Sequence, residues 1–467
     1  MDSAFWIKAL QLIAGLGLLV FLHELGHYFF ARLFGIKVEK FYLFFNPYFS
    51  IFKWKPGKGV KFFSSKDFEA EPTPADHKPT WRDTTYGIGW VPLGGYCAIA
   101  GMIDETQSAK DLAAEPQSWE FRTKPAWQRL LVMLGGVLFN FLTAIIIYAG
   151  IVYTYGEQIV PFDKAYEGMD YPAAALAVGF QNGDIPLAAD GEPLSASDDN
   201  YRLKMIEAKE VTVLRNHADT VKIAIPEKFI FALEKDTTGV AFCSYRMPVV
   251  VAALAPKEPA ELAGIQKGDR IISVDSVKTT AYTEFTAELK KNAGKEVAIG
   301  LLRGNDTISV NLAPTEHGKI GIQLAPITDV YEVETIEYSL WRSIPKGWDL
   351  GVTTLTNYVS QFKYVFTSEG AQSLGGFGTI GSIFPDQWQW LAFWNIVAFL
   401  SVILAFMNII PIPGLDGGHV LFLLWEIVTR RKPSDKFLQY AETAGIIFII
   451  ALLLYANGND IYRFFIK

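Results

Sequence analysis

Three side chains in the stretch VFLHELGHYFFARLFG, Val20 to Gly35, have types and spacing that can do chemistry together. His23 and His27 stand four apart, so on a helix they project from one face, one turn above the other. Glu24 follows the first histidine, within reach of a water held between the two imidazoles. H-E-x-x-H is a zinc-binding pattern in which the histidines ligate and the glutamate acts as general base. The surroundings sharpen that reading. His23 lies nine residues before Arg32, about 13 Å along a helix at about 1.5 Å per residue, inside an apolar span and toward its basic end. An ionisable group at such a depth costs on the order of 3 kcal/mol or more. A hydrogen-bonded polar cluster gluing helices together accounts for one or two of these groups. It does not account for the i, i+1, i+4 arrangement.

Catalytic zinc takes a third protein ligand and keeps one position open. The stretch NIIPIPGLDGGH, Asn408 to His419, offers Asp416 after a helix stopped by Pro411 and Pro413, with Gly417 and Gly418 for a close-packed turn. An aspartate here also reads as the N-cap of a following short helix. Beside an unfinished zinc site the ligand reading is preferred. His419 is a further possible ligand, although a histidine at a boundary is more often only hydrogen-bonded.

These residues must be positioned by membrane helices. Half of the 467 residues are hydrophobic, which fits a chain that is part bilayer and part aqueous. Four segments reach the roughly 20 apolar residues that a span requires: Phe5–Phe34, Trp127–Tyr153, Trp388–Ile410 and Phe437–Tyr455. The run Val420–Val428 is too short to cross and reads as a buried or interfacial helix. Basic residues orient the spans. They crowd the loop after the first span, from Arg32 to Arg129, and the loop Arg430–Lys436, whereas Lys164 is the sole basic residue from Thr154 to Asn200. The middle region and both termini are therefore expected outside, with the two basic loops in the cytoplasm. A net charge of −7 without a basic run argues against a nucleic-acid partner. Cys97 and Cys243 are too few and too far apart for a disulfide framework or a cysteine-rich metal site. No basic n-region or cleavage site precedes the first span, so it is expected to be retained.

The middle region repeats itself. YPAAALAVGFQNGDIPLAADGEPL (Tyr171–Leu194) is echoed by EPAELAGIQKGDRIISVDSVKT (Glu258–Thr279). Each copy has a Pro-Ala helix start, a Gly-hydrophobic-x-x-Gly-Asp turn and an alternating strand. A hairpin is expected to turn at Gly304–Asn305. The pattern resembles tandem bacterial PDZ domains, which bind peptide ends or strands by β-augmentation. The first copy departs from it, with two extra residues before Gly179 and Pro186 inside the strand. Tyr338–Phe366 reads as an amphipathic helix at the outer membrane boundary.

Taken together, these motifs resemble the site-2 protease family of intramembrane zinc metalloproteases, and within it the regulator of sigma-E protease group, over almost the whole chain. WVPLGGYCAIAGMIDE (Trp90–Glu105) is similar to the family's membrane-associated β-hairpin loop. GGVLFN (Gly135–Asn140) resembles its Gly-x-x-x-Asn element with Val137 in place of the usual proline, and SLGGFGTIGSI (Ser373–Ile383) its Leu-Gly-Gly stretch. The expected architecture is a multi-pass α-helical membrane protein of about four transmembrane helices, with two tandem extracytoplasmic PDZ-like β domains between spans 2 and 3. Its parts run 1–153 (first two spans and the β-hairpin loop), 154–245 and 246–327 (the PDZ-like domains), 328–387 (amphipathic region) and 388–467 (last two spans).

The resemblance implies one catalytic zinc ion held by His23, His27 and Asp416, with Glu24 as base. It makes Asn140 and Asn408 polar, substrate-binding helpers near the active centre, against a helix–helix hydrogen-bonding role. An unwound substrate would pair as a strand with the Pro92–Gly95 loop, where Gly94 and Gly95 permit close approach or simply form a tight turn. Implied substrates are single-span proteins of the anti-sigma factor type, already trimmed by another protease, and remnant signal peptides, in a bacterial inner membrane. The PDZ pair would act as a size filter or as a receptor for new peptide termini. The rivals are a non-catalytic PDZ membrane scaffold and a zinc-dependent membrane enzyme or transporter of other chemistry.

Overall fold

The computed structural model describes residues 3–69, 73–74, 76–92, 94–102, 115–198, 200–362, 365 and 374–462. Leu93 of the Pro92–Gly95 loop, Ile103–Glu105 of the stretch beginning at Trp90, Ser373 and Phe366 lie outside the described residues. The chain divides into two compact units, Met1–Tyr155 with Tyr338–Lys467, and Gly156–Glu337.

Among the described residues, seven α-helices organise the first unit: α1 (Ser3–Leu33), α2 (Ala126–Tyr155), α3 (Leu340–Phe362), α4 (Phe377–Ile383), α5 (Trp390–Ile409), α6 (Asp416–Thr429) and α7 (Asp435–Ile461). Of these, α1, α2, α5 and α7 are long and apolar enough to cross a membrane. The central element is α2, which packs against α1, α3, α5 and α6. Small residues set its crossings, as they do where helices meet without a hydrophobic drive. A Cβ on Gly26 would stand 2.5 Å from the Gly135 carbonyl carbon, and one on Gly347 would stand 2.6 Å from the Ala149 nitrogen. The amphipathic α3 leaves Trp341 and Trp348 exposed, as an interfacial helix does.

Between α1 and α2 lies a five-stranded sheet in the order β3-β2-β4-β1-β5, formed by β1 (Val38–Leu43), β2 (Ser50–Lys55), β3 (Gly59–Ser64), β4 (Thr85–Ile88) and β5 (Tyr96–Ile99). Within the stretch Trp90–Glu105, expected as a membrane-associated β-hairpin loop, the described residues contribute the edge strand β5. β5 pairs antiparallel with the distant β1, Phe41 facing Cys97 and Tyr42 facing Tyr96.

α7 extends beyond the expected Tyr455 because its polar end is satisfied. Asp460 accepts from the Gly376 and Thr379 N–H groups at 3.0 and 2.9 Å and from the Thr379 hydroxyl at 2.5 Å. Asn457 accepts from the Phe377 N–H at 3.2 Å, and Asn459 donates to the Leu374 carbonyl at 3.2 Å.

The second unit holds a four-stranded sheet built around Ile185–Ala189 and Glu210–Arg215, and a larger sheet around Val249–Leu254, Arg270–Val274 and Val297–Leu312. Four spans and these sheets are consistent with a membrane protein carrying PDZ-like domains. The internal repeat extends to its side chains. Arg215 clasps Asp184 (2.9 and 2.7 Å) and the Gly179 carbonyl (2.8 Å). Arg303 clasps Asp269 (2.8 and 2.7 Å) and the Gly264 carbonyl (2.9 Å) in the same way. The second clasp holds the Asp269 carboxyl below its ordinary range. Pro186, which lacks an N–H to donate, is tolerated because the register with the neighbouring strand shifts between Thr212 and Val213. The turn at Gly304–Asn305 joins Arg303 to its partner Asp306 as a two-residue hairpin. The two copies are welded by buried Arg246, which donates to Asp170 and Glu284 at 2.7 Å each and to Thr280 at 2.9 Å.

Candidate metal centre and active site

α1 carries His23, Glu24 and His27, and α6 carries Asp416 in its first turn. Asp416 makes no capping hydrogen bond; the N-cap position belongs to Leu415. The aspartate turns instead toward α1. Gly417 and Gly418 let α6 start this close to the preceding turn. A Cβ on Gly417 would stand 2.6 Å from the Ile409 carbonyl carbon, and one on Gly418 would stand 2.6 Å from Pro413 Cα.

The result is a nearly equilateral triangle of donor atoms. His23 Nε2 and His27 Nε2 are 3.2 Å apart, and Asp416 Oδ2 is 3.2 Å from the first and 3.3 Å from the second. A tetrahedral ion bound at about 2.0–2.1 Å separates its ligands by about 3.3 Å. Two imidazoles and a carboxylate are also a zinc donor set. Asp416 Oδ2 is buried and makes no hydrogen bond of acceptable geometry, so a cation is what this oxygen lacks. Among the described residues, this is the group of histidine, cysteine and acidic side chains spaced to hold a metal ion. The donor set fits zinc.

α2 forms the floor beneath the two rings. His27 Nδ1 donates to the Val132 carbonyl at 2.9 Å, so in the neutral ring the lone pair is on Nε2, which faces the triangle. Gly136 sits under both imidazoles, where a Cβ would come within 2.5 Å of His23 Cε1 and of His27 Nε2. Asn140, one turn on, is fully buried beside His23.

A cavity of about 360 Å³ opens onto the triangle. Glu24, Asn140, Asn408, Gly94 and Gly95 all line it, so the structure brings every site residue expected from the sequence to one place. Gly95 is pressed between α1 and β1: a Cβ there would lie 2.6 Å from the Tyr42 carbonyl oxygen, 2.9 Å from Val20 Cγ1 and 3.5 Å from Glu24 Cγ. The edge strand β5 forms one wall through Tyr96, Cys97 and Ile99. Tyr96 stacks on Tyr42 and donates to Asn46 at 3.0 Å. Burial holds its phenol above the ordinary range, so it remains a donor. His419 is not grouped with the three donors; its Nε2 faces Glu442 Oε1 of α7 at 3.6 Å. Glu442 lines the same cavity and was not among the expected residues. The signal for it was a buried carboxylate in an apolar helix, which by itself marks a functional candidate.

Peptidase family M50 matches residues 11–64 and 73–452. The regulator of sigma-E protease RseP of Escherichia coli is 26% identical over 99% of this chain and 100% of its own length. The protease RseP of Yersinia pestis is likewise 26% identical, over 99% and 100%. A Vibrio cholerae relative whose name describes a zinc metalloprotease is 25% identical, again over 99% and 100%. A match that runs from within the first span to within the last, through both the α1 and α6 donor segments, means that the chain belongs to peptidase family M50, the site-2 proteases, and is a protease.

Proposed function

We propose that the protein is an intramembrane zinc metalloendopeptidase that cuts the transmembrane segments of single-span membrane proteins. One zinc ion is held by His23, His27 and Asp416, and Glu24 is the general base. The observation that carries this reading is the donor triangle with sides of 3.2–3.3 Å, set in an apolar helix bundle beside a cavity. A zinc ion bound by these residues would supply Lewis acidity, lowering the pKa of a water toward about 7. Glu24 takes the proton from the attacking water and returns it to the leaving amine. Asn408, on the cavity wall near the end of α5, donates its amide N–H to the developing oxyanion. Stripping the purified protein with a chelator is expected to abolish cleavage of a reporter transmembrane segment, and zinc is expected to restore it. Undiminished cleavage by fully stripped protein would overturn the reading.

A helical substrate hides its carbonyls in i→i−4 bonds and must unwind before attack, and in a bilayer the freed groups need partners. The edge strand β5 supplies them, with Gly94 and Gly95 allowing the substrate backbone to approach. Cys97 on β5 makes this testable. The other cysteine, Cys243, is fully buried, and burial pushes its thiol up to about 12, so it stays unreactive. With an added oxidant, cysteines scanned along a substrate are expected to form disulfides with Cys97 at alternating positions around the residue that faces it, the period of a strand. A three-to-four-residue period would mean that the substrate is held as a helix.

The relatives named for sigma-E regulation support a role in regulated intramembrane proteolysis. Its substrates are of the anti-sigma factor class, trimmed first by another protease, with remnant signal peptides as a second class. The distribution of basic residues supports an inner-membrane orientation with the active centre toward the cytoplasm. Residues 154–245 and 246–327 are then two extracytoplasmic PDZ-like modules that screen ectodomains by size or hold newly exposed peptide termini. The duplicated Arg–Asp clasps support that assignment. A non-catalytic scaffold does not require the converging donors.

A further inference from the structure

One face of α2 presents Val132, Gly136 and Asn140 at four-residue spacing, the spacing that stacks side chains along a helix. His27 Nδ1 is held by the Val132 carbonyl at 2.9 Å, and Gly136 leaves room for both rings. Asn140 occupies the third position, fully buried, with one amide terminus 3.3 Å from His23 Nδ1. With the nitrogen as the nearer terminus, the amide oxygen, Oδ1, is buried without a hydrogen-bond partner. The two termini of an amide are nearly equal in size, so chemistry rather than shape decides which one faces the ring.

The chemistry is set by the other side of the imidazole. His23 Nε2 is the atom that meets His27 and Asp416. If that nitrogen offers its lone pair to a metal ion while the ring is neutral, the ring proton sits on Nδ1, and only an acceptor can face it. We infer that Asn140 is a positioning residue: its amide oxygen accepts the His23 Nδ1–H and so fixes the tautomer in which Nε2 ligates. Both histidines are then oriented from the same face of α2, one by a backbone carbonyl and the other by a side-chain carbonyl. Ser401 of α5 donates to the Asn140 backbone carbonyl at 2.7 Å and holds this turn of α2 in place. The inference rests on the zinc reading above, and it removes Asn140 from the set of substrate-binding groups.

The test compares zinc affinity in full-length wild type, Asn140→Asp and Asn140→Leu, by competition with a chromophoric chelator, together with the absorption spectrum of the cobalt-loaded proteins. Asn140→Asp keeps an acceptor and loses the donor, so it is expected to bind zinc at wild-type affinity or tighter with the cobalt bands unchanged. Asn140→Leu is expected to bind about 10- to 100-fold more weakly, the usual effect of removing a partner of a ligating histidine. Weakening in Asn140→Asp would overturn the inference, because the donor would then be what matters, and this variant decides the question even if Asn140→Leu does not fold. Unchanged zinc affinity in both variants with a raised KM would return Asn140 to substrate binding. Wild type without zinc affinity would overturn the zinc reading itself, a result distinct from either.

Discussion

Glu24→Gln is expected to reduce cleavage of a reporter transmembrane segment by at least about 10²- to 10⁴-fold, the range associated with a general base. Zinc content should stay at the wild-type level. The expectation follows from position. Glu24 shares a helical turn with both histidines and lines the cavity, but it is not one of the three donor atoms that face each other across 3.2–3.3 Å. The amide is nearly isosteric, so the cavity, the crossing at Gly26 and the position of β5 against Gly95 should all persist. What is lost is an oxygen able to take a proton from water. Metal analysis of the same preparation that is assayed separates the possibilities. Lost cleavage with retained zinc supports the base role. Loss of both would place Glu24 among the metal-binding groups, and undiminished cleavage would remove it from the mechanism.

The second large effect is expected at a residue with no functional group. Gly136→Ala should lower zinc affinity at least about tenfold and cut activity in parallel, because a methyl group there would stand 2.5 Å from atoms of both His23 and His27. Overpacking of this kind costs about 1–3 kcal/mol, and here the strain falls on the rings that must hold a fixed separation. Gly150 on the same helix provides the control, since nothing lies within 4 Å of a Cβ placed there. Gly150→Ala should leave zinc binding and cleavage unchanged and stabilise α2 by up to about 1 kcal/mol, from helix propensity alone. Thermal unfolding and zinc titration of both variants would check the pair. Equal behaviour of the two would mean that the rings are not packed against α2 as described.

The parts of the site legible in the sequence are those written as local spacing. His23, Glu24 and His27 lie within five residues, and the helical period alone places the two imidazoles together. Asp416 was readable because the proline stop and paired glycines put a carboxylate at a membrane helix end, where it needs a cation. Contacts that only tertiary packing creates were not readable. The sheet preceding β5 was missed because its strands are short and its key pairing, β1 with β5, joins segments far apart in sequence. A stretch resembling a hairpin gave no indication that its partner lay so far upstream. Glu442 reaches the cavity only because Gly445 lets α7 lie against Pro413. α7 runs on past Tyr455, the end of the expected apolar span, because Asn457, Asn459 and Asp460 are each bonded to the segment around α4, a contact that tertiary packing creates.

The donors split between α1 and α6 also bear on biosynthesis. About 390 residues of chain separate His27 from Asp416. At about 5–20 residues per second, translation takes roughly 20–80 s to cover that distance. Throughout that interval the nascent chain carries two histidines without the carboxylate that completes their triangle. A ribosome that stalls or aborts in the second unit therefore releases a fragment with an open, two-donor site. On the proposed ligand set, proteolytic competence would arrive late in synthesis, with α6, and truncated products would be silent.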